Sequence, residues 1–291
     1  RLEKAEAAWR NALRVWEKLA GQRAEEPAYA LGLARCYQDL AHLAELRDQV
    51  ELADQNYQQA ISILENTLER YQQHPEIIRS LARVLAERAA LYRDSGQARE
   101  SLTEFQRALQ LLRPLATGDS ASLETILTLR DIYAGRAHAH LALRQYAEAL
   151  RDWDEAISCD CERSPTLRAY RAICLARLGS TEQAVAHADR LLQDYPRTGS
   201  LLYNLACVHA VVAEVLGQEN KQPSPEQSRQ SEAHATRALE LLSQAADQGY
   251  FRSPHRLEYL QRDPDLEAIR QRADFKRFLE KLQASPQPSI P

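Results

Sequence analysis

One feature limits this chain more than any other: it repeats. A small residue is followed four positions on by an aromatic one and three further on by another small one. The trios are Ala5-Trp9-Ala12, Ala53-Tyr57-Ala60, Ser101-Phe105-Ala108 and Ala149-Trp153-Ala156, and their first members advance by one constant step. Leu33, Leu81 and Leu129 keep the same beat, as do Tyr37, Leu85 and Tyr133. Offsets of four and then three place side chains on one face of an α-helix, whereas a strand would need a period of two. Composition agrees. Alanine and leucine, both strong helix formers, supply 45 and 42 residues, against 8 valines and 10 isoleucines. The expected fold is therefore all-α, an array of antiparallel helix pairs with early units of about 48 residues.

Each unit reads as two helices. The first carries Leu33-Tyr37-Leu40-Ala41, and the second carries Ala53-Tyr57-Ala60 with Ile61 and Leu64. Arg47-Asp48 and Asp94-Ser95-Gly96 are the turns between them, while Pro27 and Pro75 suit first helical turns. One pair cannot bury its apolar face alone, but stacked pairs can. The expected organisation is a lone second helix over 1–26, units over 27–74, 75–122, 123–164, 165–198 and 199–250, capping helices over 251–283 and a disordered tail over 284–291. The polar stretch 218–231 reads as a mobile loop insertion in the last unit. Asp263 reads as an N-cap ahead of Pro264. The lone second helix, and the lack of any methionine, read as a chain that continues upstream in a longer parent.

The trios resemble the tetratricopeptide repeat family, whose second helix carries Ala-x-x-x-aromatic-x-x-Ala. The usual unit is about 34 residues. Arg88 and Arg136 depart from the family pattern, which prefers leucine there, and Ser101 replaces an alanine. The long unit, the LARCYQDLAHL-type first helix and the DPDLEAIRQRADF ending are similar to the C-terminal repeat region of planctomycete-type bacterial serine/threonine protein kinases. The resemblance implies a right-handed superhelical array of the helix pairs, a non-catalytic protein-interaction scaffold whose first helices line a concave groove holding a protein or peptide. Carried over residue by residue, the groove takes Arg35, Gln38, Asp39 and His42, then Arg83, Glu87 and Arg93, then Asp131 and His138, Tyr170 and Arg177, and Tyr203 and Asn204, the last two as its strongest members. A free-standing adaptor, or an array attached to a different catalytic module, is the alternative.

Other chemistries find little support in the residues. No Gly-rich nucleotide loop, HRD or DFG stands in this chain, so catalysis is not expected of it. Cys159-Asp160-Cys161 lacks the usual zinc spacing, and no metal or other cofactor is expected. His138 and His140 read as a helix-surface pair, and Asp152, Asp154 and Glu155 as a solvated face beside Trp153. Cys174 and Cys207 read as small buried hydrophobes. A net charge of −4 with no basic stripe argues against nucleic acid. The apolar runs read as too short to insert in a membrane, and five irregularly spaced cysteines fit the cytoplasm.

Overall fold

A computed structural model describes residues 2–22, 26–117, 121–218 and 224–284, with the backbone alone for 2–5 and 20. The described residues form fourteen α-helices and three short 3-10 segments, with no strand among them. The chain divides into two compact units, Arg1–Asp160 and Cys161–Pro291.

The first unit holds α1 (Leu2–Gln22), α2 (Pro27–Glu45), α3 (Val50–Arg70), α4 (Pro75–Asp94), α5 (Ala98–Leu112), α6 (Leu123–Ala142) and α7 (Tyr146–Ser158). The helices pack as the pairs α2–α3, α4–α5 and α6–α7, and α1, α3 and α5 also meet the first helices α2, α4 and α6 that follow them. Pro27 and Pro75 stand in the first turns of α2 and α4, and Ser122 caps α6 by accepting from the Thr125 N–H at 3.1 Å. The hairpins between paired helices share one joint. Asp48, Gly96 and Arg144, spaced by the same step as the trios, all take left-handed backbone with φ of 56°, 80° and 57°. The next residue's N–H (Gln49, Gln97, Gln145) then reaches back five residues to the carbonyls of Ala44, Tyr92 and His140 at 2.7–2.9 Å. This is the hydrogen-bonded helix stop that a left-handed residue creates.

The trios form the core. Tyr57, Phe105 and Trp153 are buried, as are Ala53, Ala60, Ser101, Ala108, Ala149 and Ala156. Gly135 lets the Phe105 ring lie against the α6 backbone: a Cβ there would come within 2.5 Å of the ring. Trp9 differs from its counterparts and is 36% exposed.

The two arginines that depart from the leucine pattern are structural ties. Arg88 donates to Asp54 on the preceding second helix at 2.7 Å and lies 3.7 Å from Glu104 on its own. Arg136 repeats the arrangement one unit later. It donates to Gln106 on the preceding second helix and, with two nitrogens at 2.8 and 2.6 Å, to Asp152 on its own. Asp152 is therefore buried and ion-paired, which corrects the expectation of a solvated face. Helix-face arithmetic cannot see a partner on a different helix.

The second unit holds α8 (Pro165–Arg177), α9 (Thr181–Asp194), α10 (Gly199–Gln218), α11 (Pro225–Asp247), α12 (Pro254–Arg262), α13 (Glu267–Arg270) and α14 (Ala273–Ala284). Helix α10 is its centre, with every residue from Leu201 to Ala213 buried. Contrary to the sequence expectation, α10 is long and apolar enough to cross a membrane by length and composition. Here its apolar surface is covered by α8, α9, α11 and α13. The expected loop insertion over 218–231 is also corrected. Residues 225–231 belong to α11, which opens on a capping box in which Ser224 and Gln227 hydrogen bond each other's backbone N–H. Residues 219–223, and 285–291 of the expected tail, lie outside the described residues. Asp263 caps the 3-10 turn Pro264–Leu266, as its sequence context predicts. Cys174 and Cys207 are buried, also as expected.

Candidate binding surface on the first helices

In the first unit, α2, α4 and α6 are the successive first helices, and the candidate residues Arg35 to His138 lie on them. Glu87 organises the α2–α4 part. Its two carboxylate oxygens accept from Gln38 Nε2 at 2.7 and 2.6 Å, and His42 Nε2 lies 3.2 Å away. Gln38 is buried in this network, so the structure places it beneath the surface rather than on it. Asp39 lies 3.4 Å from Arg35. Desolvation pushes the Asp39 carboxyl up against the pull of Arg35 and His42. Below them the Tyr57 hydroxyl donates to Glu45, and His42 meets the Tyr57 ring edge-on at 5.9 Å.

Two units on, the histidine–aromatic pair recurs as His138 and Trp153, edge-on at 4.9 Å. Burial, helped by nearby Arg93, pushes His138 down to about 4, so it is neutral at pH 7. His138 is thus packed against the core, and the expected surface pair of His138 and His140 does not form. His140 instead lies 2.7 Å from Gln145 and 3.6 Å from Asp152. Arg93 pairs with its neighbour Asp94 at 2.8 Å. Arg83 is half-buried, and its Nε has no hydrogen-bond partner. The side chains left open to solvent are Arg35 at 57%, His42 at 45% and Asp131 at 68%.

The second-unit candidates behave differently. Tyr203 and Asn204 are buried in α10; Tyr203 reaches the surface only at the wall of a pocket that it shares with Tyr250, His255, Arg256 and Tyr259. The Tyr203 hydroxyl donates to Asp263 Oδ2 at 2.5 Å, and its ring stacks on Tyr250 at 5.1 Å. Arg177 is committed internally, to Glu214 at 2.7 Å, Asp265 at 2.9 Å and the Pro264 carbonyl at 3.1 Å. Burial and the neighbouring Asp263 push the Asp265 carboxyl up to about 6. Half-buried Tyr170 faces the same acidic cluster, and burial raises its hydroxyl pKa. This cluster fastens the Asp263–Leu266 turn onto α8 and α10, and its role is packing.

Glu87 predicts a measurable titration. Its hydrogen bond raises the His42 pKa above the ordinary histidine value, against desolvation. A raised histidine pKa means stabilisation that is complete below about pH 6.5 and lost as pH rises through the folded value. NMR titration should find His42 elevated, and Glu87→Gln should bring it down. The melting advantage of the parent chain over Glu87→Gln should be larger at pH 6 than at pH 8.5. An advantage that does not change with pH would break the assigned pair.

Repeated antiparallel helix pairs, with the small–aromatic–small trio on the second helices of the first unit, decide the fold. This is a tetratricopeptide-type helical array. No family model and no curated protein matches the chain. Among solved structures it is similar to BtubC (BKLC) from P. vanneervenii, at 18% identity and a TM-score of 0.58, over 86% of this chain and 93% of that one. A tetratricopeptide repeat protein from Parabacteroides merdae aligns at 15% identity and a TM-score of 0.38, over 96% and 94% of the two chains. Human IFIT1, as a dimer with m7Gppp-AAAA, aligns at 17% and 0.47, over 97% of this chain and 55% of that one. At 18% identity the likeness to BtubC is one of fold.

Proposed function

We propose that this chain is a non-catalytic scaffold that binds a protein or peptide across the first helices α2, α4 and α6. The observation that carries the reading is a set of exposed polar side chains on the first helices. Arg35, His42 and Asp131 reach solvent from helices that the buried trios and the Glu87 network hold rigid. Pre-ordered side chains lose little entropy when they engage a ligand, which favours binding. Mixed charges on such a surface suit a polar peptide with both acidic and basic groups. Affinity capture with the purified chain should retain a discrete protein partner. A double charge reversal, Arg35→Glu with Asp131→Arg, should release it while helicity and melting stay unchanged. Retention by the folded double variant would move the interaction off these helices.

The sequence ending and the long unit support a finer reading, in which the array belongs to a larger bacterial serine/threonine protein kinase and works in the cytoplasm. In that setting it would raise the local concentration of substrates at the catalytic domain. Phosphoryl transfer needs a nucleotide cradle, metal-holding acids and a base in one pocket. The expected result for the purified chain with magnesium, ATP and a generic protein substrate is therefore no turnover. Activity that follows the chain through purification would overturn the scaffold reading.

A further inference from the structure

We infer that the groove between α1 and α3, floored by Leu40, is a docking site for a peptide bearing a bulky apolar side chain flanked by carboxylates. It rests on the scaffold reading above but assigns a surface which that reading does not use, walled by the second helices α1 and α3 with only its floor taken from the first helix α2. The first unit contains the same kind of groove twice. One is lined by Leu102, Gln106, Gln110 and Arg136. Two repeats earlier, the matching positions are Glu6, Arg10, Arg14 and Leu40, and these line the other. The two grooves differ at the floor. Arg136 fills its position with a guanidinium already committed to Asp152 and Gln106. Leu40 leaves an apolar floor, continued by Leu13, Leu43 and Leu52, the last 44% exposed. The cavity is about 450 Å³, within the roughly 300–1,000 Å³ range of ligand pockets.

The rim sets the partner's charge. Arg10 and Arg47 both engage Glu6, each at 2.6 Å. Arg14 hydrogen bonds the neutral Asn11, and Glu17 is turned to the Tyr37 hydroxyl at 3.5 Å. Three arginines thus face two carboxylates around an apolar cavity, and Arg14 has no acidic partner among the described residues. Apolar burial supplies affinity at such a site, and the cationic rim selects acidic flanks.

Selection of a phage-displayed library of random twelve-residue peptides against the full chain tests this. Enriched peptides should share a bulky apolar residue with Asp or Glu within three positions. Leu40→Arg, which installs the side chain the two later units carry, should weaken their binding at least tenfold. Arg10→Gln with Arg14→Gln should weaken it several-fold and flatten its salt dependence. Should Leu40→Arg fail to fold, Leu52→Glu on the exposed rim should cause a similar loss. Several results would overturn the inference: no enrichment, enriched peptides without acidic residues, or binding indifferent to Leu40→Arg and Leu52→Glu. Binding lost instead on the Arg35/Asp131 reversal would move the site to the first helices and leave the scaffold reading standing. Concentration-dependent self-association relieved by Leu40→Arg would overturn it too, by making a second copy of the chain the occupant.

Discussion

Trp153→Ala is expected to cost about 3–5 kcal/mol of folding stability, the range for removing a fully buried aromatic side chain. Trp153 has no exposed surface, and it packs edge-on against His138. The truncation removes apolar contact and leaves a cavity that rigid helices cannot close. The same motif provides an internal control. Trp9 holds the equivalent position in the first trio but is 36% exposed, so Trp9→Ala should cost clearly less than Trp153→Ala. Denaturant melts of the two variants read the difference directly. A second readout follows from His138, held near 4 by burial. Water entering the cavity should raise its pKa towards the ordinary histidine value. Equal losses for Trp9→Ala and Trp153→Ala would mean that the trios do not share the register described.

Arg136→Leu should be nearly as damaging, although it restores the residue that the tetratricopeptide pattern prefers. Asp152 is 4% exposed and accepts two hydrogen bonds from Arg136. Without them a buried carboxylate is left with only His140 nearby, at 3.6 Å, and the expected cost is about 3–5 kcal/mol. Changing both partners should recover most of that loss, because a buried ion pair and a well-packed apolar pair are often close in free energy. The measurement is a double-mutant cycle of Arg136→Leu and Asp152→Leu, with a coupling of about 2 kcal/mol or more. Additive losses would mean that the two residues act independently. Raising pH cannot substitute for the mutation, since arginine stays protonated.

Much of the fold was legible because its determinants are local and repeated. The four-and-three spacing of Tyr57, Phe105 and Trp153 identified their buried helix face without reference to any other part of the chain. The hairpin turns and the first-turn prolines were legible for the same reason. What was lost depended on a second helix. Asp152 looked solvated because Arg136, on the preceding helix, is invisible to the periodicity of α7. His138 looked exposed because Trp153 lies on the neighbouring helix. Tyr203 and Asn204 were placed in a groove by analogy with earlier first helices. Those helices keep one polar face, whereas α10 is buried at every residue from Leu201 to Ala213. The start of α11 was a readable signal that polarity concealed: Ser224-Pro225-Glu226-Gln227 is a capping box with proline in the first turn. The Glu87 network was partly legible too, since Asp39 and Glu87 hold the same position in successive units.

The shared joint at Asp48, Gly96 and Arg144 has a consequence for how such a chain changes length. Three different side chains adopt one backbone shape and one five-residue hydrogen bond, so the hinge is specified by position rather than by residue identity. A gain or loss of one whole repeat in frame would bring two compatible helix ends together and preserve the bond that closes the hairpin. The cross-helix ties obey the same interval, as Arg88 and Arg136 show. The chain is in this sense written in interchangeable sentences. Its length can be edited by whole units, while an insertion of any other size must be absorbed where the beat has already lapsed, beyond α7.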